Sequence, residues 1–155
     1  MRGPLAWLAL TFTLLASPPL RAQERIYLAN DDHTDYNWSA SETQYRQALR
    51  ARANAETHNG LGYVLAKEGR PDEAVAEFRK AIDADPKFAP AYSNLADALA
   101  QQRRFEEAAE TYQRLLAVKP SAAAYGALGD VLGQMGKTDE AAQQFAKAKA
   151  LESAH

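Results

Sequence analysis

The sequence predicts an all-α fold in which pairs of helices repeat along the chain, preceded by a short extended segment. Three observations carry this. A set of apolar and small residues returns about every 34 positions from Ala55 onward. Within each period, apolar residues recur at spacings of three and four, as in Leu61 and Leu65 or Phe78, Ala81 and Ile82. That spacing is the mark of an amphipathic helix. Glycine and proline fall at matching places between the helical windows, at Gly69, Pro71, Pro86, Pro120 and Gly136, where helices end or begin.

Composition bounds the function. The chain has 155 residues, 46% hydrophobic and 25% charged, which suits one soluble domain. Its 18 basic and 20 acidic residues leave a net charge of −2. Without a basic excess, nucleic acid and anionic membrane surfaces are poor partners. There is no cysteine. Disulfides, cysteine zinc sites, thiol catalysis and a lipid-modified N-terminal cysteine are therefore excluded. Histidines at positions 33, 58 and 155 are too few for a His-rich metal centre.

Residues 1–22 read as a signal peptide. Arg2 precedes an apolar run from Leu5 to Leu15, and a small residue, Ala22, closes the segment. Pro18 and Pro19 stop the run short of the roughly 20 apolar residues that a membrane span needs. Cleavage after Ala22 starts the mature chain at Gln23, with no stable membrane span left. Losing Arg2 and Arg21 leaves 16 basic against 20 acidic residues, a net of −4. Export without cysteines points to a bacterial periplasm or exterior, and a secreted eukaryotic protein stays open.

Residues 23–54 form an N-terminal segment. It opens with a candidate strand, Arg25–Ala29, followed by an acidic loop whose Trp38 is expected to pack on the first repeat helix. Ser39 and Glu42 have the spacing of a capping box, which opens a capping helix over 39–52. Tyr45 and Ala48 repeat the spacing of Phe78 and Ala81, so this helix is expected to act as the second half of a degenerate leading repeat.

Three units follow, at 55–88, 89–121 and 122–155. The first carries His58, Leu61, Gly62, Leu65, Gly69, Ala74, Phe78, Ala81 and Pro86. The second carries Tyr92, Leu95, Ala96, Leu99, Arg103, Ala108, Tyr112, Leu115 and Pro120. The third carries Tyr125, Leu128, Gly129, Leu132, Gly136, Ala141, Phe145 and Ala148. This pattern resembles the tetratricopeptide repeat family over residues 55–153. The resemblance implies antiparallel helix pairs stacked into a right-handed superhelix, with a concave groove lined by the first helix of each pair. The small residues at 62, 96 and 129 and at 74, 108 and 141 let facing helices approach, and Phe78, Tyr112 and Phe145 fill the space beside them. Arg103 stands where the other units have glycine, at a cost expected to stay under about 1 kcal/mol.

A second resemblance is shorter. The spacing His33-x-Asp35-x-x-Trp38 after a candidate strand is similar to the opening of glycoside hydrolase family 38 α-mannosidases, over residues 25–45. It implies zinc ligation by His33 and Asp35, both good zinc donors. A working site needs further ligands, a nucleophile and an acid, which this chain does not supply. The stretch is read as a remnant, a fusion or a coincidence, and no metal, cofactor or catalytic residue is assigned. The alternative reading of the whole chain follows from it: a fused or truncated gene product carrying a non-functional start of a mannosidase-like hydrolase.

The leading reading is an exported scaffold, not an enzyme, that holds a partner protein or peptide in its groove. Positions expected on the groove are Glu56, Asn59, Tyr63 and Lys67, then Ser93, Asp97 and Gln101, then Gly126, Asp130 and Gln134. In the best-known groove of the family, Lys, Arg and Asn clamp a C-terminal carboxylate. The matching positions here are Asn59 and Tyr63, Ser93 and Asp97, Gly126 and Asp130, so the basic clamp is absent. Two aspartates at one offset disfavour an acidic peptide and favour a basic or polar one. Solvation of Asp97 and Asp130, or pairing with a neighbouring Arg or Lys, stays open.

Overall fold

The structure, a computed structural model, describes residues 38–153. They form seven helices and no strand: α1 Trp38–Ala51, α2 Ala55–Lys67, α3 Pro71–Ala84, α4 Ala89–Gln101, α5 Phe105–Val118, α6 Ala122–Gln134 and α7 Thr138–Glu152. Helices α2 and α3, α4 and α5, and α6 and α7 form antiparallel pairs. Successive pairs join through α3 on α4 and α5 on α6, while α1 packs on α2. The result is a right-handed solenoid of stacked helix pairs. The expected signal peptide at 1–22, the expected strand at 25–29, His33 and Asp35 lie outside the described residues.

The helix ends follow from local chemistry. Asn54 caps α2: its side chain accepts from the Thr57 N–H at 2.8 Å, and the Thr57 hydroxyl accepts from the Asn54 N–H at 3.0 Å. This reciprocal pair satisfies two N–H groups that a helix start leaves unpaired. Each first helix ends on a residue of positive φ: Gly69 at 75°, Arg103 at 60° and Gly136 at 76°. The turn is then closed by hydrogen bonds from Arg70 N to Leu65 O, Arg104 N to Leu99 O and Lys137 N to Leu132 O, each 2.9 Å. Pro71 opens α3, where its missing N–H costs nothing.

The box expected at Ser39 and Glu42 does not form. Helix α1 begins at Trp38, so Ser39 lies inside the first turn. The Glu42 carboxylate accepts instead from Arg46 Nε at 2.8 Å and from Arg70 Nη1 at 2.9 Å. Arg70 thus ties α1 to the turn between α2 and α3, and it also binds Glu73 through two 2.7 Å hydrogen bonds. Arg104 repeats that fork on Glu107, again with two 2.7 Å bonds.

The core runs along the stack without a break. Leu61, Leu65, Phe78, Leu95, Leu99, Tyr112 and Leu128 are all buried in one cluster. Burying a side chain of this size contributes about 1.5–3 kcal/mol. Close helix crossings require small residues: a Cβ on Gly62 would sit 2.7 Å from the Phe78 ring, and one on Gly129 would sit 2.7 Å from Phe145. Phe145 fills its expected place yet remains 44% exposed, because among the described residues no further helix follows α7.

Candidate functional site: the face of the first helices

Small rotations between stacked repeats curve the first helices into an extended concave surface. Here those helices are α2, α4 and α6, and α2 lies directly beside α4. Equivalent positions on successive helices form rows across this surface, and the chemistry changes along them.

The α2 end is aromatic and cationic. Tyr63 is half-buried and meets the Trp38 ring edge-on, with centroids 6.3 Å apart. The exposed Lys67 places its ammonium 5.3 Å from the centre of the Tyr63 ring, within cation–π range. Trp38 therefore packs on the first repeat helix as expected, from the start of α1.

Asn59 corrects an expectation. Its offset predicts an exposed groove position, but it is only 2% exposed. Its side-chain oxygen accepts from Asn94 Nδ2 at 2.8 Å, an amide pair that links α2 to α4. Asn59 is structural glue between repeats, and the half-buried Asn94 takes the place at the surface. Neighbouring Ser93 is also half-buried.

The α4 and α6 end is acidic. Asp97 and Asp130 are both exposed, as are Gln101, Gln134 and Glu56. Neither aspartate takes part in a salt bridge among the described residues. Asp97 has a different partner: the Tyr112 hydroxyl of α5 donates to its Oδ1. Tyr112 is 3% exposed, so its ring belongs to the core while its hydroxyl reaches the carboxylate of the exposed Asp97. Burial, reinforced by the bond to Asp97, pushes the Tyr112 phenol far above its usual range. It is a donor at every physiological pH. Gly126, one helical turn before Asp130 on α6, has open space where a Cβ would project.

Sequence reasoning missed Asn94 and Tyr112 as parts of this face. Asn94 follows Ser93 and carried no separate signal. For Tyr112 there was one: its unit has a hydroxyl where the units on either side have Phe78 and Phe145, together with an aspartate 15 residues upstream.

The architecture defines an α-solenoid of helix pairs, the class of repeat scaffolds. Comparison with known proteins makes this specific. Tetratricopeptide repeat models match residues 37–87, 65–130 and 122–155. Residues 37–155 thus consist of tetratricopeptide repeats. The small glutamine-rich tetratricopeptide repeat-containing protein 2 of Mycosarcoma maydis is 31% identical over 86 residues, covering 55% of this chain and 24% of that protein. The chain thus spans about a quarter of the length of that relative. Among solved structures, MamA (AMB-1) aligns with a TM-score of 0.65 at 25% identity, over 74% of this chain and 63% of MamA. The second TPR of Spaghetti (RPAP3), bound to the HSP90 peptide SRMEEVD, aligns with a TM-score of 0.60 at 25% identity, over 68% of this chain and 98% of that one. The mannosidase resemblance of 25–45 has no counterpart in these matches, and from residue 37 onward the matching model is a repeat model.

Proposed function

We propose that this chain is an exported scaffold that captures a basic or polar peptide segment of a partner protein on the face of α2, α4 and α6. The observation that carries the reading is the pair of exposed aspartates, Asp97 and Asp130, in equivalent places on successive first helices with no salt-bridge partner among the described residues. An exposed carboxylate pair attracts Lys, Arg or N–H donors and repels acidic chains. The Spaghetti repeat holds a peptide, SRMEEVD, with two glutamates, one aspartate and a single arginine. Asp97 and Asp130 would repel a peptide of that kind, which supports a basic or polar partner. Export rests on residues 1–22. N-terminal sequencing of the protein recovered from a bacterial periplasm should begin at Gln23, and a start at Met1 in the cytosol would overturn export.

The peptide reading is tested by charge removal that spares the fold. Asparagine at position 97 still offers Tyr112 an acceptor oxygen, so Asp97→Asn with Asp130→Asn removes two charges without orphaning the hydroxyl. A fluorescent, end-blocked octalysine should bind wild type and lose most of its affinity for the double variant. Binding should weaken with added salt, since exposed charges are screened over about 8 Å at physiological ionic strength. Equal affinity of both proteins at low and high salt would show that the acidic wall recognises nothing.

A further inference from the structure

The geometry points to Tyr112 as a positioning residue that sets the affinity of the acidic wall for cationic side chains by fixing one oxygen of Asp97. This inference rests on the peptide-binding reading above. The middle repeat carries Tyr112 where its neighbours carry Phe78 and Phe145, and Ala96 where they carry Gly62 and Gly129. Phe78 and Phe145 pack their rings over Gly62 and Gly129 on the first helix of their own pair. Tyr112 occupies the same position in its unit but carries a hydroxyl, which donates to Asp97 Oδ1. Packing alone does not require that oxygen, since phenylalanine serves in the flanking units.

The consequence is electrostatic and entropic. A free aspartate on a helix surface samples several rotamers, and a ligand that holds one of them bears the ordering cost. A hydrogen bond from a buried, immobile donor selects one rotamer in advance. Hydrogen bonds to a charged acceptor are the stronger kind, so the selection is effective. Oδ1 is engaged from below, and Oδ2 has no partner among the described residues. Asp97 thus presents an oriented acceptor at the surface, while Asp130 on α6 adds a second carboxylate without such a support. The phenol keeps its proton, so the donor does not switch off as pH changes.

A double-mutant cycle on the full chain separates positioning from packing, with end-blocked octalysine as the probe and octaglutamate as the control. Tyr112→Phe should fold as wild type, because phenylalanine fills the equivalent place twice in this chain. It should weaken octalysine binding roughly 3- to 10-fold, within the range by which neighbours in one hydrogen-bond network couple. In an Asp97→Asn background the same change should have almost no effect on octalysine, since the charge to be positioned is gone. An equal loss in both backgrounds assigns Tyr112 a packing role and overturns the inference, as does no loss in either. If Asp97→Asn and Asp130→Asn leave octalysine affinity untouched, the peptide-binding reading falls and this inference falls with it. If those variants bind weakly while Tyr112→Phe binds as wild type, only the positioning role is lost.

Discussion

A Cβ on Gly62 would lie 2.7 Å from two carbons of the Phe78 ring and 3.1 Å from the Ala74 carbonyl oxygen. The glycine is therefore fixed by the crossing of α2 and α3, not by backbone conformation. Gly126 on α6 has nothing within 4 Å of the same construction. Alanine is intrinsically better than glycine in a helix interior by about 1 kcal/mol. At Gly126 that gain is unopposed, and Gly126→Ala should raise stability by roughly 0.5–1 kcal/mol. At Gly62 the Phe78 ring and a backbone oxygen must both yield, and Gly62→Ala should lower stability by about 1–3 kcal/mol. Urea midpoints of the two variants should move in opposite directions. A shared direction would refute the close crossing.

Arg103 offers a second stability test. It has φ of 60°, in the region occupied elsewhere by Gly69 and Gly136. A side chain there crowds its own backbone, at a cost of roughly 1 kcal/mol. Its guanidinium lies 5.7 Å from the Phe105 ring centre, a contact that offsets part of that cost. Arg103→Gly should still stabilise by a few tenths to about 1 kcal/mol. Gly69→Ala and Gly136→Ala should each destabilise by about 1 kcal/mol, with no steric clash to blame, since neither has an atom within 4 Å of its projected Cβ. Thermal melting of the three variants checks this, and a destabilised Arg103→Gly would contradict it.

Several carboxylates make stability depend on acid. Hydrogen bonds from Arg46 and Arg70 hold the Glu42 carboxyl below the usual range. Arg70 does the same to Glu73, and Arg104 to Glu107. Burial alone would raise Glu77, but hydrogen bonds from Lys80 and His58 outweigh it and the net direction is down. A carboxyl depressed in the folded state is protonated first in the unfolded chain. Its stabilisation is complete above the unfolded value, about 4.3, and is lost as pH falls through the lower folded value. Arg70→Ala removes the principal partner of Glu73 and one partner of Glu42, so it should lower the urea midpoint at pH 6 and lower it much less at pH 3. The effect at pH 6 should be modest because Glu73 is solvent-exposed. A midpoint difference that stays constant between the two pH values would mean that Arg70 acts by packing.

The parts of the fold that were legible in the sequence are those decided within one helix turn or one repeat. Gly69, Gly136 and Pro71 announce helix ends because only backbone chemistry is involved, and the 34-residue return of Leu61, Gly62 and Phe78 announces the stacking. What was not legible depends on residues far apart in the chain. Glu42 has the local spacing of a cap, but Arg70, 28 residues away, takes its carboxylate. Asn59 sits at a groove offset, but Asn94 on the next first helix covers it. Tyr112 fits a core stripe, and although its hydroxyl sets it apart from Phe78 and Phe145, the bond that hydroxyl makes is visible only once Asp97 stands beside it. Asn59 with Asn94, and Asp97 with Tyr112, each join two different helices in the candidate site, and so the site is less readable than the scaffold that holds it.

The last prediction concerns how the stack protects its aromatic positions. Phe78 and Phe145 have the same role, each packing over a glycine of the preceding helix. They differ in cover: Phe78 is 2% exposed and Phe145 44%. The difference arises because α4 packs on α3, whereas no described helix follows α7. Truncating a buried phenylalanine to alanine costs about 3–5 kcal/mol, through lost transfer energy and the cavity left behind. Phe78→Ala should reach that range. Phe145→Ala leaves an open depression that water fills and gives up only part of the transfer energy, so about 1–2 kcal/mol is expected. The two variants should also differ in where they loosen the chain. Hydrogen exchange after Phe145→Ala should quicken in α6 and α7 and leave α2 and α3 protected, since stacked repeats interact chiefly with their neighbours. Equal losses for the two variants would show that Phe145 is covered in solution as deeply as Phe78, and exchange that quickens uniformly along all the described helices after Phe145→Ala would show that the stack opens as one unit.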